Sequence, residues 1–460
     1  MFLQYLSFRK PLQSLVLGSV VLLLMAVQPL TAAAMSPQES RTAIHQTISA
    51  LWTGATISPA LEKKQTALKS MLESGALSKS DLKEMVGTAV MKLMGEKKTT
   101  RYMFNQIAEP FNALFSPHLE WEAVKEIIWS KSSAPVDDQV VITIGTLAPP
   151  GTPYLSVPRT TINPRINKLT NGKIKVKIYG GGVMGEDTDI LRKMDIGQLT
   201  GCGSTALGVL KAAPNMSVFT TPGLFNSYDE IDYIFKKFRK RIDEEFEKRG
   251  YMLAALIDTG FFHIYSKKKF TDLDDIRHRK MLTWMGEVET TLFNELNINP
   301  TPVAVPEVIS ALSTGLADTN LAPAVWMLGM QGYQYANYFT ETPLLYSPAA
   351  VIVSSSFKDK LQKEIGVSDL FAHNLKEFIL SEYNVIETMW REKIRTYERK
   401  AMAAFQQKCG MKPVSFPEKD RKAIEKANIA VREKLAGNAY PRQLMEEVLN
   451  ALAEYRKNQQ

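Results

Sequence analysis

The chain has 460 residues, enough for two or three domains. Apolar residues make up 45% and charged residues 23%, an ordinary globular balance without low-complexity tracts, which excludes wholesale disorder. The net charge of +8 comes from Lys and Arg interspersed with Asp and Glu, so nucleic-acid binding is not expected, although weak attraction to an anionic membrane surface is compatible with it.

Residues 1–34 have the order of a secretory signal. Arg9 and Lys10 come first, an apolar run from Leu15 to Val27 follows, and Thr31-Ala32-Ala33-Ala34 closes the segment. The run is shorter than the roughly 20 residues a membrane span needs. No later stretch approaches that length, so a soluble, periplasmic mature protein is expected. No Cys marks a lipoprotein anchor. Cys202 and Cys409 are the only cysteines, far apart in sequence and outside any CxxC or zinc spacing.

Residues 36–131 read as a small all-helical domain of four or five helices. Ser36-Pro37-Gln38-Glu39 is a capped start, with Pro in the first turn and Glu where a capping box needs it. Leu82, Met85, Val86, Ala89, Val90 and Leu93 fall at helical spacing on one face, after Ser78-Lys79-Ser80-Asp81. These stripes are expected to bury against one another, with a groove for an envelope protein as the sharper alternative. Residues 132–139 are mostly polar, contain Pro135, and form the expected linker.

From residue 140 the pattern changes. Val140-Val141-Ile142-Thr143-Ile144 is a β-branched strand, and the stretch from Lys173 to Tyr179 alternates charged and apolar residues. Helical patterns at 186–197, 288–296 and 306–314 alternate with strand-like runs such as 251–258, which predicts an α/β fold. The charged, amphipathic run from Ser356 to about Gln407 contains no Pro and predicts long helices. Met411 to Pro417 is a brief strand-like interruption before closing helices.

No enzyme is expected. The five His residues are scattered, and neither GxSxG nor HExxH occurs. Gly180 to Gly185 lies between a strand and a helix, but Glu186 and Asp187 follow where a phosphate loop needs Lys and Ser or Thr. It reads as a tight turn. No catalytic residue, metal site or cofactor is assigned.

The order of motifs from about Val140 to the end resembles the DctP-type receptors of TRAP transporters. Leu169-Thr170-Asn171-Gly172-Lys173-Ile174-Lys175-Val176 is similar to the family's TNGKIKV strand. The segments Gly182 to Glu186, Leu273 to Met281, and Asn299-Pro300-Thr301-Pro302-Val303 through Gly315 follow its later motifs. The resemblance covers about 320 residues and leaves the helical domain outside it. It implies a two-lobed, periplasmic-binding-protein-like domain over 140–460, strapped by a long helix, whose cleft closes on a small molecule and serves a membrane permease.

Typical members clamp a carboxylate with Arg. Here Phe262 and Leu282 stand at the two Arg positions and Ala322 at a polar Asn position, with Asn320 nearby. The expectation is therefore a neutral, apolar ligand (lipid-like, sterol-like or aromatic), lined by Phe262, Leu282, Trp284, Asn320, Ala322 and Trp326. Thr146, Tyr154 and Thr205 are the candidates from the first lobe. The alternative is a non-transport interaction module whose cleft is filled by Trp284 and Trp326.

Overall fold

In a computed structural model, the structure describes residues 35–131, 140–283 and 286–459. The expected signal segment, the linker at 132–139 and Trp284 lie outside the described residues.

Among the described residues, six helices precede the first strand: α1 Pro37–Thr53, α2 Pro59–Glu73, α3 Lys79–Glu96, α4 Arg101–Gln106, α5 Ala108–Phe115 and α6 Trp121–Lys131. The count exceeds the expected four or five because the run from 101 to 115 breaks at Ile107. Capping starts the first helix as the sequence predicts. The Glu39 amide donates to Ser36 Oγ at 3.2 Å, and the Ser36 amide donates to Glu39 Oε2 at 2.8 Å. Ser78 caps α3 in the same way through the Asp81 amide. The α3 stripe of Leu82, Val86, Val90 and Leu93 is fully buried.

Ten strands of the described residues form one mixed sheet. They are β1 Val140–Thr146, β2 Ile174–Tyr179, β3 Gly201–Ser204, β4 Tyr251–Ser266, β5 Met281–Thr283, β6 Thr301–Pro302, β7 Thr319–Pro323, β8 Tyr338–Thr340, β9 Leu345–Ser354 and β10 Lys412–Val414. The path runs β2-β1-β3-β9-β4-β7-β5-β6, with β8 beside β4 and β10 beside β8. Two lobes share this sheet. β9 pairs with β3 through residues 350–353, whereas β4 leaves β9 beyond Phe262 and pairs with β7. β4 and β9 are thus the two strands that pass from lobe to lobe. Register shifts between Leu253 and Ala255 and between Asp258 and Gly260 bend β4 along this passage.

A 39-residue helix, Asp369–Gln407, straps both lobes. At 1.5 Å per residue it is about 58 Å long. Its first half is buried almost all round, because β4 lies on one side and the N-terminal helices on the other. Asn374 of this helix closes the end of α3, donating to the Met94 and Lys97 carbonyls at 2.7 and 2.8 Å and accepting from the Thr99 amide. Arg101 pairs with Glu377 at 3.4 Å. One continuous apolar core joins Trp52, Phe104 and Trp121 to Ile142 of the first lobe and to Phe378 of the strap helix. The helical stripes therefore bury against the strap as well as against each other.

Candidate functional site

The lobes meet tightly. A Cβ at Gly329, in the second lobe, would overlap Thr152 Cγ2 and lie 3.1 Å from Pro149 Cβ, both in the first, so only glycine permits this approach. The glycine turn after β2 closes the other rim. Gly182 sits at φ +76°, within reach of Pro306, and Glu186 Oε2 accepts the Val305 amide at 2.7 Å across the gap.

Between the lobes remains a cavity of about 70 Å³. Thr146 and Leu147 at the end of β1, Tyr154 of the short helix Pro153–Val157, and Thr205 after β3 supply the first-lobe wall. Ile257, Thr259 and Ala349 to Val351 come from the hinge strands. Tyr383 and Trp390 come from the strap helix, and Trp326 from the second lobe. No lining side chain among the described residues is charged.

Most hydroxyls on this wall already have partners. Thr146 Oγ1 donates to the Gly203 carbonyl at 2.6 Å, Tyr154 to the Thr259 carbonyl, Thr259 to the Pro348 carbonyl at 3.0 Å, and Ser204 to the Thr205 carbonyl at 3.2 Å. Thr205 donates to Asp187 Oδ2, which also accepts the Thr205 and Gly208 amides at 3.1 and 3.2 Å. Burial pushes the Asp187 carboxyl up to about 7, with the Thr205 hydroxyl pulling the other way. Trp390 is pinned by its Nε1–H on the Pro153 carbonyl at 2.9 Å. Burial alone raises the Tyr383 phenol. Apart from the Tyr383 hydroxyl, these walls present mostly carbon to whatever enters.

Of the residues expected from sequence, Thr146, Tyr154, Thr205 and Trp326 come together on this cavity. Phe262, Leu282, Asn320 and Ala322 do not line it. They occupy the core of the second lobe, where Leu282 pairs with Asn320, and Phe262 with Pro323 and Leu345; all four are at most 1% exposed. Register puts Leu282, Asn320 and Ala322 on the sheet face that carries His263, and Phe262 on the opposite face with Pro323 and Leu345, so the three apolar replacements at family positions are buried in the second lobe on two sides of the sheet. The sequence reading missed Ile257, Tyr383 and Trp390, which carry no motif and sit in stretches that read as ordinary strand or helix.

The family model described as "Bacterial extracellular solute-binding protein, family 7" (DctP) matches residues 144–438. The chain belongs to the DctP family. Relatives include the C4-dicarboxylate-binding periplasmic protein of Rhodobacter capsulatus, 26% identical over 43% of this chain and 60% of that protein. The chain spans about three fifths of the length of several curated relatives that it matches. Among solved structures, the sugar acid binding protein of Advenella mimigardefordensis in complex with galactonate aligns with a TM-score of 0.62 at 21% identity, over 69% of this chain and 99% of that one. A TRAP periplasmic solute binding protein of Sulfurospirillum deleyianum with bound succinate aligns at 0.61 and 19% identity, over 69% and 99%. These likenesses establish the two-lobed DctP fold over the α/β part and leave the N-terminal helices outside it. No helix of the described residues is long and apolar enough to cross a membrane.

Beside the cavity, the hinge holds a buried charge cluster. Arg395 of the strap helix pairs with Asp258 of β4 at 2.8 Å and with Asp232 at 2.7 Å, and lies over the Tyr228 ring at 4.3 Å. One turn on, Glu398 accepts from the Tyr228 hydroxyl and from the Phe261 amide at 3.2 Å. Burial raises the Glu398 carboxyl to about 7, against the lowering effect of Tyr228. An acid whose folded pKa lies above its unfolded one costs nothing below the unfolded value. The penalty grows as pH rises towards 7 and is complete above it. Glu398→Gln removes that penalty. The stability of the variant relative to the parent is expected to rise by about 2–3 kcal/mol from pH 5 to pH 8. Urea melts of both proteins across that range check it; a pH-independent difference would show that Glu398 ionises freely in the fold.

Proposed function

We propose that this chain is an exported receptor that holds a compact, neutral, mostly apolar solute in the interlobe cavity and passes it to or from a membrane permease. Residues 1–34 would direct export to the periplasm, as their basic, apolar and small-residue order suggests. The observation that carries the ligand class is the wall itself, uncharged among the described residues and with the hydroxyl hydrogens of Thr146, Tyr154, Thr205 and Thr259 engaged, which leaves the Tyr383 hydroxyl as the polar group open to a solute. A carboxylate sealed there would lack a cationic partner and lose several kcal/mol of solvation. Apolar surface entering the same space gains about 25 cal/mol per Å². The relatives whose names mention acids bind them in their own proteins, and the Arg positions of that pattern are Phe262 and Leu282 here.

Size narrows the class further. One water-sized group needs about 10–15 Å³ of such volume. A cavity of about 70 Å³ therefore suits a small ring or branched chain and not, in this closed form, a lipid or sterol. The interaction-module reading requires a cleft filled by Trp284 and Trp326; among the described residues Trp326 lines the space without filling it, which supports the receptor, and Trp284 lies outside those residues.

Mass spectrometry of an organic extract from natively purified protein tests the reading. A stoichiometric neutral molecule is the expected result. Micromolar binding of succinate or galactonate by titration calorimetry would overturn it.

A further inference from the structure

A second cavity, of about 860 Å³, shares no lining residue with the first. Its floor is the face of β4 that carries Phe261 and His263, opposite the face that buries Phe262. The strap helix contributes Glu398 and Met402, the β8–β9 connection Leu344, and helix Glu418–Leu435 contributes Ile424 and Asn428. Such a volume is in the range of small-molecule sites.

Two acceptors, His263 and Glu398, share this lining with the Asn226 and Asn428 side-chain amides, the Thr342 and Ser415 hydroxyls and the Glu425 carboxylate. His263 is buried, with Nδ1 2.7 Å from the Thr340 carbonyl oxygen. A carbonyl only accepts, so Nδ1 carries the hydrogen and Nε2 keeps a lone pair. Burial lowers the ring to about 4, so it stays neutral. The Glu398 carboxyl takes hydrogens from Tyr228 and the Phe261 amide and has further lone pairs. Two arginines also line it: Arg421 pairs with Glu418 at 2.6 Å, and Arg399 donates to Thr396 Oγ1 at 2.9 Å while keeping its charge. Phe225, Phe261, Tyr346 and Phe416 add aromatic surface. A carboxylate among aromatic rings is the setting that holds an organic ammonium.

We propose that this cavity is a second ligand site for a small primary amine with an apolar or aromatic body, the ammonium on Glu398 and the body against Phe225, Phe261 and Phe416. The site stands whatever the interlobe cavity holds.

Phenethylamine is the probe, titrated calorimetrically into the full chain at pH 7.5, with 2-phenylethanol as its neutral counterpart. The amine is expected to bind about tenfold or more tightly than the alcohol. Glu398→Gln should abolish that preference while leaving alcohol binding in place. Ile424→Trp, which fills the cavity from a half-buried position, should weaken both ligands about tenfold or more and does not depend on the Glu398 variant folding. Undetectable amine binding, an amine preference in Glu398→Gln undiminished from the parent, or unchanged binding in Ile424→Trp would each overturn the proposal, the last by pointing to the interlobe cavity.

Discussion

Replacing Arg395 by Met should destabilise the protein by about 3–5 kcal/mol, the usual consequence of removing one partner of a buried ion pair. Asp258 is fully buried, and beyond Arg395 its remaining hydrogen-bond donor is the Tyr346 hydroxyl at 2.7 Å. Loss of the guanidinium leaves a carboxylate sealed inside the hinge, beside the register shift of β4. The double variant Asp258→Leu with Arg395→Met should recover most of the loss, because neither charge is then stranded. Urea denaturation of parent, single and double variants makes the comparison. A cost below about 1 kcal/mol for the single change would mean that water reaches Asp258, and would remove the argument for a dry hinge. The same variant should weaken ligand capture, since Thr259 lies next to Asp258 and on the cavity wall.

The legibility of this protein divides by the kind of signal. Helix starts such as Ser36 and Ser78 were readable because capping is local chemistry within four residues. The turn from Gly180 to Gly185 was readable because Glu186 and Asp187 reject phosphate and suit a helix start, as Asp187 does here. The strap helix followed from a long Pro-free amphipathic run, and the DctP fold from ordered motifs. The cavity was only half legible. Thr146, Tyr154, Thr205 and Trp326 reach it, but Leu282 and Phe262 do not, because a family position gives a place in a strand and not the direction in which a shorter apolar side chain settles. Tyr383 and Trp390 escaped notice because a residue on a long helix shows no sign in sequence of whether it faces a void or a neighbour. The docking of the helical domain was equally hidden. Its stripes show that they must be covered, and nothing in their period says that the far side of the strap helix covers them.

That docking leads to the second large expected effect. Glu382 of the strap helix is 1% exposed and meets two cations from different parts of the chain. Lys125 of α6, itself 2% exposed, lies 2.8 Å from Oε1 in an ion contact outside hydrogen-bond angles, and Arg165 of the first lobe binds Oε2. Glu122 touches the same two cations, at 3.0 and 2.6 Å, but from a solvent-facing position. Glu382→Ala therefore leaves a buried ammonium facing one exposed carboxylate, at an expected cost of about 3–5 kcal/mol. Glu382→Gln keeps an acceptor in place and should cost less than Ala. Hydrogen exchange locates the damage. Faster exchange in α6 and in residues 163–169, with β5 and β7 unchanged, is the result expected if Glu382 fastens the helical domain and the first lobe to one stretch of the strap. Uniform acceleration across both lobes would instead mean that the contact supports the whole fold. In the first case the N-terminal helices ride with the first lobe, and closure must turn on the segment beyond them, where β4 bends at Asp258 and Arg395 holds it.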